Sequence, residues 1–337
     1  MILEIFELIG TIIVILIGCE LFANAVEHIG RKFALSHAAA GSLLAAVGTA
    51  LPETIIPILA LIFGGEHGED ISIGAILGAP FMLLTLAVSL VAVTVLVMKF
   101  TKRRNSTAIN VSVPALEFDL KFFIAAFAFI LIGSFVYNEI QNKFINYLLA
   151  VFLVLLYVYY IKITLSHDAE DHETYTEFLY LAKYFYMRPT ITNVYVQALL
   201  GLIIIIFGAK LFVGYLIIVG TELGISMLLL SLLITPIATE LPEKYNSITW
   251  TLKKKDTLAF ANITGAVAFQ STLVVSIGLI LTEWNLDAHT LLNIAFALIS
   301  GIIIFATLKI KKKLYAEPLL IGLIFYIIYV AVSLNLY

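Results

Sequence analysis

The chain has 337 residues, of which 61% are hydrophobic and only 13% charged, and its mean hydropathy is +1.05. So much apolar surface exceeds what one soluble core hides, which excludes a soluble globular domain. The net charge of −3 gives no support to nucleic-acid binding, and a single cysteine, Cys19, excludes an intrachain disulfide framework.

The first residues, Met1-Ile2-Leu3-Glu4-Ile5-Phe6-Glu7, lack the basic region and small-residue cleavage site of a secretory signal, so the first apolar run reads as a retained helix. Apolar runs follow in chain order at about Ile5 to Ala25, Ala38 to Gly64, Ile71 to Met98, Phe122 to Tyr137, Phe144 to Leu165, Val194 to Ile218, Ser226 to Leu252, Leu258 to Leu281, Ala288 to Leu308 and Pro318 to Leu336. About ten spans of roughly 20 residues each account for most of the chain and leave no room for a separate soluble domain. The expected fold is an all-α, multi-pass cell-membrane protein of about ten transmembrane helices.

Assigning the loops alternately to two sides puts seventeen lysines and arginines on one side and Lys143 alone on the other. By the positive-inside rule the basic side is cytoplasmic and both termini are extracytoplasmic.

An offset of 190 residues matches Gly18, Leu21, Phe22, Gly30 and Ser36 with Gly208, Leu211, Phe212, Gly220 and Ser226. The same offset matches Thr49, Leu51, Pro52 and Glu53 with Thr239, Leu241, Pro242 and Glu243, and after a three-residue length difference Gly78-Ala79 matches Gly265-Ala266. Each repeat holds five spans, so the second copy enters the membrane from the opposite side, as in secondary transporters. The expected organisation is a first repeat over 1–165, a cytoplasmic linker over 166–193 and an inverted second repeat over 194–337. The linker's His167, Asp168, Glu170, Asp171, His172 and Glu173 read as a solvated loop, with a surface metal site as the alternative.

Gly48-Thr49-Ala50-Leu51-Pro52-Glu53 and Ala238-Thr239-Glu240-Leu241-Pro242-Glu243 put carboxylate, hydroxyl and proline near the middle of the second and seventh spans. Each carboxylate at a helix centre costs about 2.5–3.5 kcal/mol on insertion scales, so structure alone gives no reason to keep Glu53, Glu240 and Glu243 there. A proline inside a helix frees the carbonyl four residues back, here that of Gly48 or Ala238. Such irregular backbone is tolerated in a bilayer only where it is buried in protein or lines a wet cavity. Carboxylate, hydroxyl and carbonyl oxygens together suit a hard cation such as Ca²⁺ or Na⁺ and not zinc or copper. In the eighth span Asn262, Ala266 and Gln270 share a face by i, i+4 spacing, and their first-repeat equivalents are Ala75, Ala79 and Leu83.

Lys244 either neutralises part of this site or points away into a polar layer. Glu20 and Lys210 occupy equivalent repeat positions, and either pair or snorkel separately to the interface. The small-residue stretch Gly74 to Gly78 reads as close helix packing.

The paired Pro-Glu segments, with Gly74-Ala75-Ile76-Leu77-Gly78-Ala79 and Ala261-Asn262-Ile263-Thr264-Gly265-Ala266 after them, resemble the two alpha repeats of the sodium/calcium exchanger family, within the cation/calcium antiporter superfamily. The resemblance implies a site between helices two, three, seven and eight, with helices one and six sliding across it. It implies that Glu53 and Glu243 bind calcium and that Thr49 and Thr239 add oxygens. Family serines are here Ala50, Glu240, Ala79 and Ala266, and the family's further Asn and Asp ligands fall at Leu83 and Gln270. Several sodium-coordinating oxygens are therefore missing, while Glu240 adds a carboxylate.

The expected function is exchange of Ca²⁺, or a similar divalent cation, for Na⁺ by alternating access, with H⁺ as the alternative coupling ion. The ligand set is Glu53 and Glu243, completed or oriented by Glu240, Thr49, Thr239, Asn262 and Gln270. No cofactor or protein partner is implied beyond the lipid bilayer and inorganic cations. An intramembrane enzyme is not expected, because no span centre holds an Asp pair, a Ser-His pair or an HExxH helix. Inverted repeats with proline-broken helices also favour alternating access over a passive pore.

Overall fold

The computed structural model describes residues 2–32, 51–166, 178–188 and 190–335, so the acidic run of the linker lies outside the described residues. Nearly all of the described chain is helical. Among the described residues eight helices are long and apolar enough to cross a membrane: Ile2–Val26, Gly65–Phe100, Val113–Ile140, Lys143–Thr164, Ile191–Leu223, Asp256–Leu281, Ala288–Lys311 and Ala316–Ser333. Two shorter apolar helices, Leu51–Phe63 and Met227–Thr239, fall in the second and seventh expected runs.

In chain order the helices are α1 (Ile2–Lys32), α2 (Leu51–Phe63), α3 (Gly68–Met82), α4 (Val88–Phe100), α5 (Val113–Ile140), α6 (Lys143–Ser166), α7 (Tyr180–Phe185), α8 (Ile191–Leu223), α9 (Met227–Thr239), α10 (Leu241–Leu252), α11 (Asp256–Phe269), α12 (Val275–Leu281), α13 (Ala288–Lys311), α14 (Ala316–Leu319) and α15 (Ile321–Asn335). Two compact units form, each drawing on both halves of the sequence: Met1–Ser72 with Val158–Met227, and Ile73–Tyr157 with Leu228–Tyr337.

In the first unit α1 lies against α8 because glycine lets their backbones meet. A Cβ on Gly201 would come within 2.7 Å of the Phe22 amide nitrogen and 2.8 Å of the Gly18 carbonyl oxygen. Beside this contact Gln197, fully buried, donates to the Leu21 carbonyl at 3.0 Å and to Asn24 Oδ1 at 2.9 Å, and accepts from the Leu181 amide at 2.9 Å. A buried amide with both ends satisfied rigidifies the pair instead of weakening it. Glu20 accepts from the Tyr180 hydroxyl at 2.5 Å, while the Lys210 ammonium lies 4.7 Å from the Phe63 ring centroid. The two charges are thus held by aromatic side chains of α7 and α2, local partners that the repeat register does not reveal.

In the second unit α3 meets α9 in the same manner. A Cβ on Gly74 would lie 2.7 Å from the Leu228 carbonyl oxygen, and one on Gly78 2.5 Å from that of Leu232, so the small-residue stretch is a close-packing surface. Around it the apolar core includes Phe81, Phe123, Phe127, Trp284 and Tyr329. Trp284 is fully buried and donates its ring N–H to Ser134 Oγ at 3.1 Å. The all-α expectation needs one small correction, since β1 (Ala108–Ile109) and β2 (Leu314–Tyr315) form an antiparallel ladder. Two residues per strand are too few for alternation to be visible in sequence.

Lys143, the one base expected in the extracytoplasmic loops, pairs with Glu283 at 2.8 Å. That hydrogen bond, with the charge behind it, holds the Glu283 carboxyl below its ordinary range. The stabilisation from a depressed carboxylate is present above its unfolded value and is lost as pH falls through the depressed one. The pair is exposed, so salt screens it.

Gly201→Val is expected to lower stability by about 1–3 kcal/mol through overpacking at the α1/α8 contact, read as a drop in the thermal unfolding midpoint of the detergent-solubilised protein. Glu283→Gln is expected to remove a small, salt-sensitive stabilisation at neutral pH and none at pH 2. A difference that persists unchanged in 1 M salt would contradict the exposed-pair account.

Candidate ion-binding site

Glu53, Glu240 and Glu243 are buried, at 3%, 0% and 1% exposure. Glu53 sits in the first turn of α2 in the first unit. Thr49, with Gly48 and Ala50, lies outside the described residues. The remaining expected site residues, Thr239, Glu240, Glu243, Asn262 and Gln270, all belong to the second unit.

There the seventh expected span is two helices and not one kinked helix. α9 ends at Thr239, Glu240 has φ −89° and ψ 5°, and α10 starts at Leu241 with Pro242 in its first turn. A proline at a helix start gives up an amide that has no intrahelical acceptor, so it begins a helix more readily than it bends one. The same geometry puts Glu243 in the first turn of α10, where the positive end of the helix dipole favours a carboxylate. Backbone bonds still lead across the junction, from Glu240 N–H to the Pro236 carbonyl and from Lys244 N–H to the Glu240 carbonyl, both 3.1 Å. Thr239, at the end of α9, is buried.

α11 supplies the amides. Gln270 is buried and donates from Nε2 to Glu240 Oε1 at 2.6 Å, while its own Oε1 is buried with no hydrogen-bond partner among the described residues. Asn262 donates from Nδ2 to the backbone carbonyl of Glu243 at 3.0 Å and to Ser247 Oγ at 3.1 Å. Asn262 therefore holds the turn that carries Glu243, and Gln270 holds Glu240 itself. The Lys244 side chain runs back along the junction: Nζ donates to the Pro236 carbonyl at 3.2 Å and contacts Met82 Sδ at 2.9 Å.

Two features here are not apparent in the sequence. Helices α3 and α4 are joined through a π-turn at Leu83–Ala87, and α11 and α12 through one at Gln270–Val274. In each, the amide that follows reaches back five residues, Val88 to Leu83 and Val275 to Gln270. These turns lie 187 residues apart, the offset that matches Gly78 with Gly265. Thr85 and Thr272 occupy the same place in them and donate to carbonyls four residues back, Phe81 at 2.5 Å and Ala268 at 2.6 Å. Ser89 and Ser276, also equivalent, tie the following helices to the Leu319 and Ala150 carbonyls. A π-turn in a helix is often a functional marker, and each opens on a residue singled out above, Leu83 and Gln270.

The chemistry of this donor set is that of carboxylate and amide oxygens, with no soft ligand among the expected site residues. It fits a hard cation. An all-helical membrane protein with an internal repeat and carboxylates buried within its spans is of the secondary cation transporter class. The family profile described as sodium/calcium exchanger protein matches residues 4–165 and 193–336, and the chain belongs to that family of multi-pass membrane antiporters. A putative antiporter, CaxA, of Alkalimonas amylolytica is 26% identical over 286 residues, covering 84% of this chain and 82% of that protein. The fold is similar to the crystal structure of an H⁺/Ca²⁺ exchanger, CAX, with TM-score 0.73 and 18% identity over 98% of this chain and 87% of that one. It is also similar to the sodium-calcium exchanger NCX_Mj, with TM-score 0.60 and 20% identity over 98% of both chains.

Gln270→Leu removes the 2.6 Å donor to Glu240. It is expected to cost about 1–3 kcal/mol of stability, the range for depriving a buried polar group of a partner. It is also expected to weaken Ca²⁺ binding, both read by thermal unfolding with and without added Ca²⁺.

Proposed function

We propose that this protein is a secondary antiporter that exchanges Ca²⁺, or a similar divalent cation, for protons across the cell membrane by alternating access. Ten helices form two inverted five-helix repeats, over 1–165 and 194–337, joined by a cytoplasmic linker over 166–193, with both termini extracytoplasmic. The charge asymmetry of the loops supports that orientation. Glu53 and Glu243, at equivalent repeat positions, are the principal ligands, and Glu240, Thr49, Thr239, Asn262 and Gln270 complete or orient the shell.

The observation that carries this reading is the buried junction of α9 and α10. Glu240 and Glu243 flank a helix start there, and Gln270 binds Glu240 while keeping a buried carbonyl oxygen uncommitted. The proton is favoured over sodium by what the neighbouring positions lack. Ala79, Leu83 and Ala266, where the family places oxygen ligands, are buried hydrocarbon side chains. Glu240 adds a group that exchanges protons at the place of a family serine. The CaxA relative is an antiporter by name, and one of the two similar folds is an H⁺/Ca²⁺ exchanger, which agrees with this reading. A protonated carboxyl holds Ca²⁺ less strongly than a carboxylate, so the two ions compete for the same oxygens.

Uptake of radioactive Ca²⁺ into proteoliposomes tests this directly. A pH gradient is expected to drive uptake and a Na⁺ gradient to leave it unchanged, with Glu53→Gln and Glu243→Gln each lowering the rate by about tenfold or more. Uptake driven by Na⁺ alone would reassign the coupling ion. Uptake driven by neither gradient, or surviving both substitutions, would overturn the antiporter reading.

A further inference from the structure

One end of the second unit gathers an unusual density of positive charge. The loops that follow α4, α10 and α13 carry Lys102, Arg103, Arg104, Lys253, Lys254, Lys255, Lys312 and Lys313. They are tied into one surface: the β1–β2 ladder joins the first loop to the third, and Asp256 joins the first to the second. Asp256 is 1% exposed in its side chain, pairs with the Arg104 guanidinium and accepts from the Asn110 amide at 2.9 Å. Thr257 Oγ1 donates to the Asn110 carbonyl at 3.1 Å, which fastens the same two segments a second time.

A cavity of about 240 Å³ opens on this surface, lined by Arg103, Arg104, Lys254, Asn105, Ser106 and Asn110. Asp256 neutralises Arg104. Among the described residues Arg103 and Lys254 have no acidic partner, so the cavity keeps a surplus of positive charge. Both helices feeding it end in the same motif: Lys102 and Lys254 have φ of 59° and 60°, a left-handed conformation in which glycine is the relaxed choice. In each case the next amide, of Arg103 or Lys255, reaches back to a carbonyl of the last turn at 2.8 Å. This turn places a lysine at each of the two helix ends.

The hydrocarbon side of the same end is equally distinctive. Phe100, the last residue of α4, is 89% exposed, and Ile310, near the end of α13, is 80% exposed. Cationic donors over a cavity, with bare apolar side chains at the adjoining helix ends, match a molecule that carries a phosphate head and acyl chains. Basic pockets at helix ends on the cytoplasmic side are the recognised form of anionic headgroup sites.

We propose that this cavity binds the phosphate head of an anionic phospholipid, with Arg103 and Lys254 as its charge-bearing ligands, Asn105 and Ser106 as hydrogen-bonding neighbours, and Arg104 locked in place by Asp256. The lining shares no residue with the proposed cation ligands, so the proposal stands whatever ion the protein carries.

The test uses the full chain, purified and delipidated in detergent, with thermal unfolding as the readout. At about 0.1 M salt, phosphatidylglycerol is expected to raise the midpoint by about 2–5 °C more than phosphatidylcholine of the same acyl chains. The double substitution Arg103→Gln with Lys254→Gln is expected to abolish that difference while leaving the midpoint in phosphatidylcholine unchanged. Inorganic phosphate without lipid is expected to have no effect. Equal stabilisation by both lipids, or a full difference retained by the double variant, would overturn the proposal. A shift reproduced by inorganic phosphate alone would overturn it in favour of a free-anion site.

Discussion

The structure is organised around one constraint, that a carboxylate buried in a membrane span must be held by polar groups the span itself has to provide. An unbroken apolar helix offers none, because its amides and carbonyls are spent on each other. The junction of α9 and α10 answers this by stopping one helix and starting another. The start supplies a positive dipole end for Glu243, the stop places Glu240 outside regular helix, and Pro242 occupies the one kind of position where its missing amide costs nothing. The neighbouring α11 and the π-turn that follows it then need only two amide side chains on one face, Asn262 for the backbone of the turn and Gln270 for the carboxylate.

The π-turns belong to the same economy. An extra residue in one turn rotates everything beyond it by about 100°, so the chain before the turn and the chain after it present different faces to their surroundings. Asn262, Ala266 and Gln270 share a face up to the turn at Gln270–Val274, after which Ser276 on α12 is free to bond the Ala150 carbonyl of α6. The first repeat uses the same device at Leu83–Ala87, where Ser89 reaches the Leu319 carbonyl. Thr85 and Thr272, inside each loosened stretch, bond back to carbonyls of the helical turn before it, Phe81 and Ala268, which limits the polar cost of leaving regular helix.

How much of this is legible in the sequence depends on the length scale of each feature. Span positions, the repeat, the midspan glutamates and the close packing at Gly74 and Gly78 follow from composition and spacing, because each repeats over many residues or stands out against an apolar background. The π-turns do not, since a single inserted residue barely disturbs an already uniform apolar pattern, although the Thr85/Thr272 and Ser89/Ser276 matches were there to be read. Pro242 was misplaced within its helix for a related reason: a proline looks the same in sequence whether it kinks a helix or begins one. The partners of Glu20 and Lys210 are tertiary, from α7 and α2, and no local pattern names them.

Lys244 joins the junction to the question of charge. It lies one turn beyond Glu240, and its ammonium is bound at the Pro236 carbonyl, the same oxygen that accepts the Glu240 amide. A cation at that point caps the negative end of α9 and staples the two half-helices across their break. The added carboxylate of Glu240 therefore arrives with an added cation four residues on, and with Glu243 between them that turn carries a formal charge of −1. Substituting Lys244 is therefore expected to disturb the junction more than a position outside the proposed ligand set suggests, because the Pro236 carbonyl at the helix break loses its cation.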